Sequence, residues 1–306
     1  IMEYMPIESE DVVPLNVPIN FVYGLSIFTT NCIKAKEIVC TDKDAFQKEF
    51  WEDFKKYGFS TLGGVPYFYE MLYSIGFFRK DHPSLRYLTH TGGMLNNRLI
   101  EAIASFNEKF GKKFFAQYGQ TEACGRMAYL PPEDLLRKGT SIGKPVKNGQ
   151  FEIDPETSEL IYSGPNVFGG YANIRDDLKF FEKQEKLHTG DKARKDEEGY
   201  YFIVGRIKRI VKLFGVRFNL DETELLLKDA LGGQTVICLG IDDKYLAVMY
   251  TDESLTRELI HTVLKAKLNL HSSSIKTVHI TDVPLTANGK VNYPLLKSTL
   301  ESEILV

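Results

Sequence analysis

Residues 85–122 read LRYLTHTGGMLNNRLIEAIASFNEKFGKKFFAQYGQTE, and their order decides the fold class. Leu85 to Thr89 is a short strand-like run that Thr91-Gly92-Gly93 interrupts. From Asn97 to Phe110, the apolar residues Leu99, Ile103 and Phe106 recur at helical spacing, which predicts an amphipathic helix. Lys113 to Gln117 is the next strand. Helix and strand alternate, and that predicts an α/β layered domain with a mostly parallel sheet.

The alternation extends towards the first residue. Val12-Val13 and Ile38-Val39-Cys40 read as strands, with a Gly24-Leu25-Ser26 break and a helix between them. Asp44 reads as the cap of a helix on which Phe46, Phe50, Phe54 and Tyr57 share one face, ended by Gly58. Pro66 starts a second helix that runs to Ile75. After about Pro131 the strands shorten and glycines multiply, which predicts a β-rich subdomain over 131–204 with a hairpin around Glu197-Glu198-Gly199. After a junction at 205–210, residues 211–306 predict a small domain: helix 221–231, strands 236–240 and 246–250, helix 255–268 and strand 276–280.

Composition sets the outer bounds. Of the 306 residues, 43% are hydrophobic and 26% charged, a globular balance. Lys plus Arg number 38 against 41 Asp plus Glu, a net charge of −3. No polybasic field exists to neutralise phosphates, which argues against nucleic-acid or anionic-membrane partners. Cys32, Cys40, Cys124 and Cys238 are too scattered for a metal cage and read as free thiols of a cytoplasmic protein. The most apolar stretch, Val17 to Ile33, is too interrupted to span a bilayer and lacks the basic start of a signal peptide.

Four segments carry chemistry. Tyr118-Gly119-Gln120-Thr121-Glu122 follows a strand, at the edge where open α/β sheets bind ligands, and its carboxylate could hold Mg²⁺; alone it is also an ordinary polar turn. Thr189-Gly190-Asp191 places an acceptor carboxylate after a glycine, suited to a sugar diol, though a surface turn has the same pattern. Residues 205–215, GRIKRIVKLFG, hold four cations among β-branched residues and read as one strand crossing between domains; a charge run is otherwise a solvated face. Pro284-Leu285-Thr286-Ala287-Asn288-Gly289-Lys290 projects one lysine from an Asn-Gly turn, either a surface lysine or a mobile cation for a phosphate or carboxylate oxygen.

Together and in this order, these segments resemble the adenylate-forming superfamily: acyl- and aryl-CoA synthetases, peptide-synthetase adenylation domains and luciferases. Its pattern runs YGxTE, TGD, GRxxxxIKxxGxR and PxTxxGK. Pro18 to Gly24, Thr91 to Met94, and Ser163 to Tyr171 add weaker matches, so the resemblance covers nearly the whole chain. The resemblance implies that a carboxylic acid attacks the α-phosphate of Mg-ATP, giving acyl-AMP and pyrophosphate. The thiol of CoA, or of a carrier protein's phosphopantetheine, then displaces AMP, and the small domain rotates between the two steps. It further implies Glu122 as the Mg²⁺ ligand and Thr121 as a phosphate contact. Gly92, Gly93, Met94, Gln117, Tyr118, Gly119 and Gln120 would surround the nucleotide, with Tyr118 beside the adenine. Asp191 and Arg206 would serve the ribose, Lys208 would be the hinge, and Lys290 would bridge the attacking carboxylate and the α-phosphate.

Departures from the pattern qualify what it implies. Lys208 stands where many members carry Asp, His188 replaces Arg or Lys before Thr189, and Ser158-Glu159-Leu160 replaces Gly-Glu-Leu. No Ser/Thr/Gly-rich phosphate loop ending in Lys-Gly occurs in these residues. The chain is therefore expected to be the later part of a longer enzyme, inactive alone, with an uncovered surface that a homodimer or partner would bury. The acid-binding residues, around Phe21 to Leu25, Val65 to Tyr69 and Thr91 to Met94, include Tyr and Phe but no evident buried cation for a second carboxylate. Medium apolar or aryl acids are expected. Two alternatives stay open: an acyl-AMP ligase without the CoA step, and a non-catalytic scaffold on the same fold.

Overall fold

A computed structural model describes residues 1–304 except 44, 173, 180, 183, 208, 215 and 287–289. The chain forms two compact units, one of Ile1–Asp154, Leu160–Thr189 and Arg194–Phe202, the other of Pro155–Glu159, Gly190–Ala193 and Ile203–Val306.

The first unit begins with β1 (Val12–Leu15), α1 (Val22–Asn31) and β2 (Glu37–Cys40), the two strands pairing in parallel. In α2 (Lys48–Tyr57), Phe50 and Phe54 are buried and Gly58 ends the helix at φ 65°. Gln47 is still extended, so Phe46 precedes the first turn and stays 58% exposed; the expected four-membered face reduces to its middle pair. Asp44, the expected cap, lies outside the described residues.

β3 (Thr61–Gly64), α3 (Pro66–Ser74), β4 (Tyr87–His90), α4 (Asn97–Phe110) and β5 (Lys113–Tyr118) then alternate. The Asn96 side chain accepts the Leu99 N–H at 2.9 Å, capping α4, and Gly111 closes the helix in the left-handed region. Leu99, Ile103 and Phe106 are buried as their spacing predicts, in one core with Phe50, Leu62, Leu88 and Phe114. β3, β4 and β5 pair in parallel. β6 (Ala128–Leu130) turns antiparallel to β5, and after the short α5 (Leu135–Lys138), β7 (Lys144–Pro145) is antiparallel to β6. Residues 119–127 are too few for a crossover, which takes about a dozen or more, so the chain must reverse there. β8 (Gln150–Ile153), β9 (Glu159–Ser163), β10 (Leu187–Lys195) and β11 (Tyr201–Arg206) form a sheet of order β11-β10-β9-β8.

In the second unit, β12 (Ile210–Leu213) and β13 (Val216–Asn219) form an antiparallel hairpin. Residues 205–215 are therefore not one strand, because β11 ends at Arg206 and a new strand begins at Ile210. α6 (Leu220–Ala230) follows, capped by Asn219, and then β14 (Val236–Ile241), β15 (Tyr245–Tyr250), α7 (Arg257–Leu268), β16 (Ile275–His279) and α8 (Tyr293–Ile304). β15 is the central strand, antiparallel to β14 and parallel to β16. Arg209, one of the four cations in 205–215, is turned inward. It donates to Glu224 at 2.7 Å and to the Cys238 carbonyl at 2.7 Å, and pairs with Asp221.

Candidate active site

The turn after β5 is built on a close backbone approach. A Cβ at Gly119 would lie 2.3 Å from the Gly125 carbonyl and 2.6 Å from the Arg126 nitrogen, so only glycine fits. The Gln120 carbonyl accepts the Ala123 N–H at 3.0 Å and the Gly125 N–H at 2.8 Å, folding residues 121–123 into one tight turn. The Gln120 side chain donates to the Thr189 carbonyl at 2.7 Å, and the Tyr118 ring meets Phe151 edge-on. Thr121 is exposed on this turn, and Glu122 is half-buried. Tyr171, at the end of the Ser163–Tyr171 match, donates its hydroxyl to Glu122 Oε1 at 2.7 Å, a contact that the match did not specify. In the preceding loop the Thr91 N–H bonds the Gly64 carbonyl, Gly92 adopts φ 86°, Gly93 packs near Pro66, and Met94 is exposed.

Asp191 lies within β10 and is almost fully buried, with Oδ1 3.0 Å from Arg206 Nε. Gly190, at φ 69°, donates its N–H to Glu159 Oε1 at 2.9 Å. Ser158 sits at φ 62°, in the left-handed region that favours glycine, which gives the Ser-for-Gly departure a local cost. Lys290 is exposed, and its N–H and carbonyl both bond Thr286, 3.2 Å from Oγ1 and 2.7 Å from the N–H. Residues 287–289 and Lys208 lie outside the described residues. Thus Gly92 to Glu122 fall in the first unit, and Asp191, Arg206 and Lys290 in the second.

A further set of residues lies beneath the turn. Gln117 is buried, donating to the Tyr4 hydroxyl at 3.2 Å and weakly to Met5 Sδ. It lines a cavity of about 30 Å³ with Arg126, Asn31 and Thr89. Arg126 is 6% exposed, bonds the Gly125 carbonyl at 2.8 Å and lies over the Tyr23 ring at 4.9 Å. Burial pushes its pKa down, against the phenols of Tyr4 and Tyr23. The stretches expected to form the acid pocket hold no cation themselves, and Arg126 reaches the Tyr23 ring from outside them. A single Arg between a turn and a short strand carries no sequence signal of burial.

The family model for AMP-binding enzymes matches residues 1–172. The chain belongs to the AMP-binding enzyme family. The oxalate–CoA ligase of Arabidopsis thaliana is 28% identical over 79% of this chain and 50% of its own length. A medium/long-chain-fatty-acid–CoA ligase of Mycobacterium tuberculosis is 28% identical over 87% of this chain and 50% of its own. Among solved structures, the o-succinylbenzoate CoA synthetase of Bacillus subtilis, in complex with its acyl-adenylate intermediate, superposes with a TM-score of 0.75 at 20% identity. It is matched over 97% of this chain and 62% of that one. The shared α/β fold is therefore that of adenylating CoA ligases, and the chain spans about half the length of these curated relatives. Among the described residues, no helix is long and apolar enough to cross a membrane, and no group of three His, Cys, Asp or Glu could hold a metal.

Proposed function

We propose that the protein containing this chain activates a carboxylic acid with ATP, forming acyl-AMP and pyrophosphate, and then passes the acyl group to a thiol of CoA or of a carrier protein. The observation that carries the reading is the pinned turn after β5. Gly119 fixes it, and it offers an exposed hydroxyl and an oriented carboxylate at a strand end, in a chain of the AMP-binding family.

Glu122 fits a magnesium ligand: Mg²⁺ takes one or two carboxylates and leaves its other positions to water and phosphate, so a lone oriented carboxylate suffices. Bound Mg²⁺ would neutralise phosphate charge. Thr121 would donate to a phosphate oxygen, and Asp191, held by Arg206, would accept the ribose hydroxyls. Lys290 would place its ammonium between the two anions that must approach each other, where a positioned cation is worth most in the transition state. The relatives' names include an oxalate ligase and a fatty-acid ligase, so they leave the acid open. A pyrophosphate-release screen of the whole protein over a carboxylic-acid panel, with CoA and carrier protein as alternative acceptors, tests the reading. Release that no acid stimulates refutes it.

A further inference from the structure

The cavity under the active-site turn contains three polar side chains that the fold leaves incomplete. Arg126 Nε, Gln117 Oε1 and Asn31 Oδ1 are all buried, have no hydrogen-bond partner, and belong to residues 6% exposed that line the same space. Arg126 matters most. A guanidinium taken out of water is costly unless an anion or a full set of acceptors meets it. Its described contacts are the Gly125 carbonyl, the Tyr4 hydroxyl and the Tyr23 ring, all neutral. By contrast, the largely enclosed side chains of Arg209, Lys112 and Lys138 each meet a carboxylate: Glu224, Asp81 and Asp196.

The position of this cation is fixed relative to the turn, since Gly119 packs on the Gly125–Arg126 backbone. We propose that the cavity binds the far end of the acid substrate, and that this end is a second carboxylate, so that the substrate is a short dicarboxylic acid. This rests on the adenylation reading above. The space of about 30 Å³ holds two or three water-sized groups, matching the two oxygens of a carboxylate. The guanidinium offers Nε–H to that carboxylate. Asn31 Nδ2 is committed to the Ile27 carbonyl at 2.8 Å, so Asn31 Oδ1 must accept from a bridging water. Gln117 holds only long contacts of 3.2 and 3.4 Å, so a turned amide would present its NH₂ to the carboxylate at small loss.

The test is calorimetric titration of the whole protein with glutarate and with pentanoate, which differ in one terminal carboxylate. Glutarate is expected to bind about 30-fold or more tightly, the usual size for a buried charge pair. Arg126→Met should abolish that preference, and Arg126→Lys, which keeps the charge, should restore part of it. Equal binding of the two acids by the unmodified protein overturns the proposal without any variant. So does a glutarate preference that survives in a folded Arg126→Met protein, because the cation would then be only a solvated structural group. These titrations contain no ATP, so failure of the adenylation reading shows separately, as acid-independent pyrophosphate release.

Discussion

Arg206 Nε lies 3.0 Å from Asp191 Oδ1, with the guanidinium 61% exposed and the carboxylate side chain 5% exposed. A buried carboxylate held by an exposed guanidinium is fixed in orientation. We expect Asp191→Asn to weaken ATP binding by about tenfold or more, the size of a lost hydrogen bond to a charged group. Arg206→Ala should cost less, since it removes the orienting contact and leaves the acceptor. Fluorescence titration with a labelled nucleotide on the whole protein distinguishes the two, and equal losses would count against the assignment.

Lys290→Ala should lower acyl-adenylate formation by about 100-fold or more while sparing thioester formation from preformed acyl-AMP. Only the first half-reaction brings a carboxylate against a phosphate. Separate single-turnover assays of the two half-reactions check this, and equal loss in both would remove Lys290 from its role.

Gly119→Ala inserts a methyl group 2.3 Å from the Gly125 carbonyl, a contact that backbone alone must relieve. A loss of about 1–3 kcal/mol of stability is expected for such overpacking. Denaturant unfolding measures it. A neutral outcome would mean that the turn is looser than its hydrogen bonds indicate.

His90 lies against Tyr69 and Phe114, fully enclosed, with neither ring nitrogen bonded. Burial drops its pKa from 6.5 to about 3. Between those values the unfolded chain binds a proton that the folded chain does not, so stability falls as pH drops below 6.5. Its slope approaches about 1.4 kcal/mol per pH unit until the folded form also protonates near pH 3. Above about pH 7 this residue contributes no slope. His90→Phe should flatten the acid limb, and unfolding free energies measured from pH 7 to pH 4 test it.

Elements with a strong period were legible in the sequence. α4 appears where Leu99, Ile103 and Phe106 repeat, because only one helix face can enter the core. β3 was not, since Thr-Leu-Gly-Gly has little intrinsic strand preference; tertiary packing makes it a strand, with Ile27 and Phe68 crowding Gly63 and Gly64. Residues 205–215 read as one strand because their apolar and basic residues favour extension, whereas β12 and β13 pair as a hairpin over 210–219. The site followed the same division. Gly119 and Asp191 belong to short motifs, whereas Tyr171 and Arg126 act through contacts that only folding creates.

The pinning of Gly119 against Gly125 and Arg126 also constrains how this chain can change. One face of that contact leads to Glu122 and the other to the buried guanidinium, with no slack backbone between them. On the proposed reading this ties the acid end to the nucleotide end. A substitution at 126 that moves the shared backbone is expected to change acid selectivity and the KM for ATP together.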